Sequence, residues 1–180
     1  MTESIAIQQT ENWIKTVVVG CNFCPFAAKA LLQKSIRYKV LLGADLQLAL
    51  ETLAEEFIFL DKNEEFETTF IIFGNDFLDF ENYLDLVDIA EQLNTAQGYD
   101  GIYQIASFHP DYCFEGAPAA DAANFTNRSI YPMLHILRES SITKVLENYP
   151  HPEQIPQRNI DFAQEKGLQY LQLLKAACLE

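Results

Sequence analysis

The sequence predicts an α/β (or α+β) fold: a central three-stranded sheet in β-α-β-α-β order, parallel or mixed, packed by about six helices. Three apolar, β-branched or alternating stretches carry this expectation: "IRYKVLL" (36–42), "ETTFIIF" (67–73) and "IYQIASF" (102–108). Between them lie two segments of helical period, and parallel strands require such crossovers.

Residues 4–18 place Ile5, Trp13, Ile14, Val17 and Val18 at spacings that suit an amphipathic helix. The Val17–Val19 run also fits the start of a strand, and the helix is the favoured reading. Pro25 then opens a second helix to about Lys34, since proline is well tolerated at the first helical position. "ADLQLALETLAEEFIFLD" (44–61) is helical with its acids on one face, and "DFENYLDLVDIAEQLNT" (79–95) is helical up to a stop near Gly98. In such a sheet, sites gather beyond the carboxyl ends of the strands, here near Gly43, Gly74–Asp76 and His109–Pro110. The stretch 109–129 lacks a sustained period and is rich in turn formers; its length suits a functional loop. "YPMLHILRESSITKVLENY" (131–149) reads as a helix with Pro132 in its first turn. A last helix follows from "IPQRNI", with an interruption at Gly167.

At 180 residues, with 49% hydrophobic and 12% aromatic residues, the chain is expected to form one domain spanning 1–180 with a substantial core. It shows no apolar run long enough to span a bilayer and no signal-peptide pattern. A cytoplasmic location is therefore expected, with Cys21, Cys24, Cys113 and Cys178 reduced. The net charge of −14 is uneven: residues 45–91 hold fourteen acids against Lys62, whereas residues 1–44 hold five basic and two acidic groups. Such an acidic surface repels phosphate backbones, so nucleic acid is not an expected partner. The acidic middle itself is read as a solvated face.

The motif "CNFCPF" raises three readings: a redox pair, half of a metal site, or one thiol at a helix start. Cys24 precedes Pro25 and so falls at the expected helix cap, where free N–H groups and the dipole favour a thiolate of lowered pKa. A buried, inert cap is the competing reading. The proline follows the second cysteine, which speaks against a thioredoxin-like pair. A zinc site would draw on Cys113, His109 and His135 without any second paired motif. His109 follows the third strand. On a helix from 131, His135, Arg138 and Glu139 would share a face. Of four arginines, Arg128, Arg138 and Arg158 fall in the motif-rich part of the chain, which suits either a carboxylate or phosphate site or a set of internal ties. Asp121, Asn124, Asn127 and Ser129 add polar groups or turns. No phosphate-loop, dinucleotide or nucleophile-elbow motif is present, and no cofactor is implied.

Taken together, "CPFA" (24–27), "ETT" (67–69), "QIASFHPDYCFEG" (104–116), "DAANFTNRSIYPMLHILRESS" (121–141) and "IPQRNI" (155–160) resemble the bacterial domain-of-unknown-function family 1415 over almost the whole chain. The resemblance implies a bacterial cytosolic protein and carries no established activity. Cys24-Pro25-Phe26 fits the family pattern. Cys21 stands at a usually aliphatic position, Cys113 lies outside the pattern, and Ile130 replaces an expected proline, so Cys24 is the thiol of interest. The leading expectation is a small-molecule enzyme acting on an anionic substrate, with Cys24, His109 and His135 as catalytic residues. Asn124, Asn127, Arg128, Arg138 and Arg158 would then bind substrate. The alternatives are a non-enzymatic module for an anionic metabolite or a protein partner, and a metal site built from His109, Asp121 and His135.

Overall fold

The computed structural model describes residues 1–147 and 149–180. Helix α1 (Glu3–Trp13) is capped by the Thr2 hydroxyl and runs into a π-helical turn, Ile14–Val19. After a turn come α2 (Ala27–Gln33), β1 (Ile36–Leu41), α3 (Leu46–Lys62), β2 (Thr68–Phe73), α4 (Phe80–Ala96) and β3 (Tyr103–Phe108). Asp45 and Asp79 start α3 and α4 by accepting the N–H of Leu48 at 2.9 Å and Asn82 at 3.0 Å. A loop containing a short 3-10 turn (Ala122–Thr126) leads to β4 (Met133–Arg138), α5 (Glu139–Leu146) and α6 (Ile155–Ala177). Gly167 breaks α6 with φ 78°, a left-handed value that glycine adopts at little cost.

The sheet has four strands in the order β1-β2-β4-β3. β1 pairs parallel with β2, as the two crossovers suggested, but β4 lies between β2 and β3, antiparallel to both. The expected three-stranded sheet is thus corrected to four strands, and the expected helix 131–149 to a strand followed by a short helix. The reason is burial on both sides. A strand covered by helices on both faces carries a nearly continuous apolar run rather than an alternating one. "MLHILR" is such a run, with its first four residues buried, and over six residues it fits the helical period as well.

Two apolar layers sandwich the sheet. On one face, Trp13, Ile14, Val17, Val18, Ala163 and Leu171 from α1, the π turn and α6 meet Ile36, Phe70, Ile72 and Met133. On the other, Leu53, Phe57, Leu60, Tyr83 and Leu86 from α3 and α4 meet Ile71, Phe73, Leu134 and Ile136. We call these the first and second faces. The acidic side of α3 is not wholly solvated. Glu56 is buried and takes Arg37 in a two-point pair, with Nε to Oε2 at 2.6 Å and Nη2 to Oε1 at 3.0 Å.

Candidate functional site

Strand period decides which of the predicted residues meet. Successive side chains alternate between faces, so His135 and Arg138, three apart on β4, point to opposite sides of the sheet. His135 faces the first layer, stacked on Phe70 with ring centroids 3.8 Å apart and planes 7° from parallel. Arg138 faces the second, where it donates to the carbonyls of Leu60, Asn63 and Phe66 and to the Tyr103 hydroxyl. The helical face joining His135, Arg138 and Glu139 therefore does not exist.

His135 lines a cavity of about 270 Å³ on the first face, together with Cys24, Trp13, Val18, Thr68, Gln104 and Phe108. The remaining walls are apolar, from α2 (Ala27, Ala30), the strands (Ile36, Ala106, Leu137) and Ile142 of α5. The exposed Gln104 marks its outer end. Ile36, Thr68 and Gln104 open their strands or sit one residue in, so the cavity lies toward the amino ends of β1–β3. At the carboxyl ends, where a site was expected, Asp76 Oδ2 instead accepts the N–H groups of Gly43 and Ala44, both at 2.8 Å.

The polar groups of this cavity are set in definite states. The Thr68 hydroxyl has one proton. It lies 2.5 Å from the Ile136 carbonyl, which can only accept, and 2.5 Å from His135 Nε2. Nε2 must then donate to Thr68, leaving Nδ1 as an unprotonated acceptor with no hydrogen-bond partner among the described residues. Burial lowers the His135 pKa from 6.5 to about 3, so the imidazole is neutral at ordinary pH. Cys24 sits just ahead of α2, where the nearby backbone N–H groups of Phe26 and Ala27 favour its thiolate. α2 begins at Ala27, two residues later than Pro25 suggested. Burial outweighs those two donors and pushes the Cys24 thiol above the ordinary value of 9.0. The lowered thiol pKa expected at a helix start is therefore reversed.

The other predicted residues lie elsewhere. His109 is fully buried on the second face against Phe80 and Tyr83. Its Nε2 faces the Phe77 carbonyl at 3.0 Å, and its Nδ1 accepts the Asp111 N–H at 3.0 Å, so both nitrogens are engaged. Burial lowers its pKa too. The two histidines thus occupy opposite faces, while Asp121 uses Oδ1 to accept the Ala123 N–H at 2.9 Å. Among the described residues no group of three or more His, Cys, Asp or Glu is placed to hold a metal, and the metal reading has no support.

Arg128 donates to the carbonyls of Tyr112 at 2.9 Å and Ala119 at 2.8 Å, and Arg158 to the Asn22 carbonyl at 2.6 Å and to the Tyr149 hydroxyl. Asn124 is buried, accepting the Phe114 N–H and donating to the Pro118 carbonyl, both at 3.0 Å. Asn127 donates to the Ser107 carbonyl at 3.2 Å. The arginines do not converge on one pocket. Of the residues singled out in the sequence, the structure brings Cys24 and His135 together on one cavity wall. Trp13, Thr68 and Gln104 complete the site without having been singled out. The "ETT" segment that contains Thr68 and the "QIASFHPDYCFEG" segment that opens with Gln104 were the available signals.

These features define a mixed α/β protein with a small, mostly apolar cavity on one face of its sheet. The chain belongs to the family described as protein of unknown function (DUF1415), whose model matches residues 5–173. No curated protein and no solved structure matches it. No helix among the described residues is long and apolar enough to cross a membrane.

Proposed function

We propose that the cavity between Cys24 and His135 is the binding site for a small, uncharged, mostly apolar molecule with one hydrogen-bond donor. The observation that carries this is the free acceptor at His135 Nδ1 on an otherwise apolar wall. Nδ1 faces the cavity without a hydrogen-bond partner among the described residues, and a ligand hydroxyl or N–H would donate to it. Apolar cavities of about 150 Å³ already take up benzene-sized molecules. No lysine or arginine lines this cavity. The anionic substrate expected from the arginines is therefore replaced by a neutral one, and a binding role is favoured over a charged Cys/His catalytic pair.

Trp13 is the only tryptophan and lines the cavity, so its fluorescence reports occupancy directly. Titration with hexanol should shift Trp13 emission saturably and slow alkylation of Cys24. Hexanoate at equal concentration should do neither. Tighter binding of hexanoate, or no response to hexanol, would overturn the reading.

A second reading, in which Cys24 is a nucleophile and His135 Nδ1 takes its proton, is favoured by the Phe26 and Ala27 N–H groups that would hold a thiolate. It predicts that Cys24 Sγ takes the acyl group of an acyl thioester, breaking the donor C–S bond and releasing the donor thiol, which regains the proton from His135 Nδ1, and that His135→Phe abolishes the acyl adduct. Mass spectrometry of intact protein would show it.

A further inference from the structure

Cys24 does not border one cavity alone. A second space of about 350 Å³ lies between the end of the π turn, the 109–127 loop and the start of α6, walled by Phe23, Phe114, Asn127, Ile155 and Ile160. Val18, Cys24 and Phe108 line both spaces, so the two adjoin at these three side chains. The polar groups of the second chamber are already engaged: Asn127 Nδ2 donates to Ser107 at 3.2 Å, Asn159 Nδ2 to Phe23 at 2.7 Å, and Thr126 Oγ1 to Ala123 at 3.0 Å. What remains for a ligand is hydrocarbon wall. Each chamber alone is at or near the lower end of the usual range for ligand sites, about 300 Å³. The π turn delivers Val18 to the junction of the two spaces, and π-helical turns recur at functional sites.

We propose that the two chambers form one elongated site for a single linear molecule of the aliphatic alcohol or primary amide class. Its donor head meets His135 Nδ1, and its tail passes the Cys24 thiol into the chamber beside α6. The proposal rests on the cavity reading above and adds the shape and length of the ligand. Cys24 then stands at the waist of the ligand rather than at its head. A neutral thiol suits this place, since a charge there would face the tail.

The test is a Trp13 fluorescence titration with straight-chain primary alcohols from butanol to decanol, on the native chain and on Ile160→Phe and Ile155→Phe. Burying each added methylene should tighten binding about fourfold, and the rise should continue through octanol. Either phenylalanine variant should cut octanol affinity at least tenfold while leaving butanol unchanged. A series that stops tightening at hexanol in the native chain would overturn the elongated site, whatever the variants do. So would variants that bind octanol as the native chain does. Failure of every alcohol, butanol included, would instead remove the cavity reading on which this one stands.

Discussion

His135 should make the protein acid-labile in a way that one substitution removes. In the folded chain its pKa is lowered by burial to about 3, against 6.5 for an exposed histidine, and Thr68, Gln104 and Cys24 are the polar residues sharing its cavity. Below pH 6.5 the unfolded chain takes up a proton that the folded chain refuses. The stability contributed by the neutral ring is complete at pH 7 and is lost as pH falls from 6.5 toward 3. Those two values give a loss of about 2 kcal/mol between pH 7 and pH 5, and about 5 kcal/mol at the acid limit. Urea unfolding at pH 7, 6 and 5 on the native chain and on His135→Phe measures it. Phenylalanine keeps the stack on Phe70 and leaves the Thr68 hydroxyl bonded to the Ile136 carbonyl. The native chain should lose about 1 kcal/mol per pH unit more than the variant between pH 6 and pH 5. Equal slopes, or a His135 imidazole carbon resonance (assigned by its loss in His135→Phe) that titrates near 6.5 in the folded protein, would refute the reasoning. His109, also lowered by burial, should remain as a smaller slope of the same sign in the variant.

Other expectations follow from the same contacts. Cys24 should alkylate with iodoacetamide more slowly than a model thiol at pH 7.5, its rate still climbing above pH 9, because burial raises its pKa; peptide mapping across pH checks this, and a rate above the model thiol would return the thiolate reading. Arg138→Gln should cost about 2 kcal/mol, or about 4–8 °C in thermal midpoint, since the carbonyls of Leu60 and Phe66 lose their donor. Calorimetry would show this, and it should leave hexanol binding unchanged because Arg138 is on the other face. Asn124→Ala should release the 109–127 loop, seen as faster limited proteolysis near Pro118, with a smaller change in global stability.

Most of the fold was legible because its elements announce themselves locally. Asp45 and Asp79 cap the helices that their spacing suggested, and within "ETTFIIF" the strand Thr68–Phe73 is buried at every position. β4 was not legible, since a six-residue strand whose first four residues are all buried satisfies either period. That single misreading propagated to the site. It set His135 beside Arg138 when the strand separates them by the thickness of the sheet. The arginines misled for a related reason. A guanidinium binds a carboxylate and a row of main-chain carbonyls with the same donors, and only the fold shows that Leu60 and Asn63 end α3 within reach of Arg138. Cys24 and His135 were picked out for their chemistry, and their meeting across 111 residues depends on where α2 crosses the sheet.

The late position of β4 in the chain has a consequence for how the protein is made. β2 and β3 are synthesised before the strand that joins them, and their only common neighbour is β4. A nascent chain that has emerged only as far as Pro132 therefore lacks the strand with which β3 pairs among the described residues. His135 arrives with the closing strand, and Ile142 of α5 follows it, so the cavity cannot form before the sheet is complete. Such long-range closure is slow relative to helix formation and exposes strand edges while it is pending. A ligand that seats against His135 would thus act as a folding aid, and refolding yield should rise with its concentration.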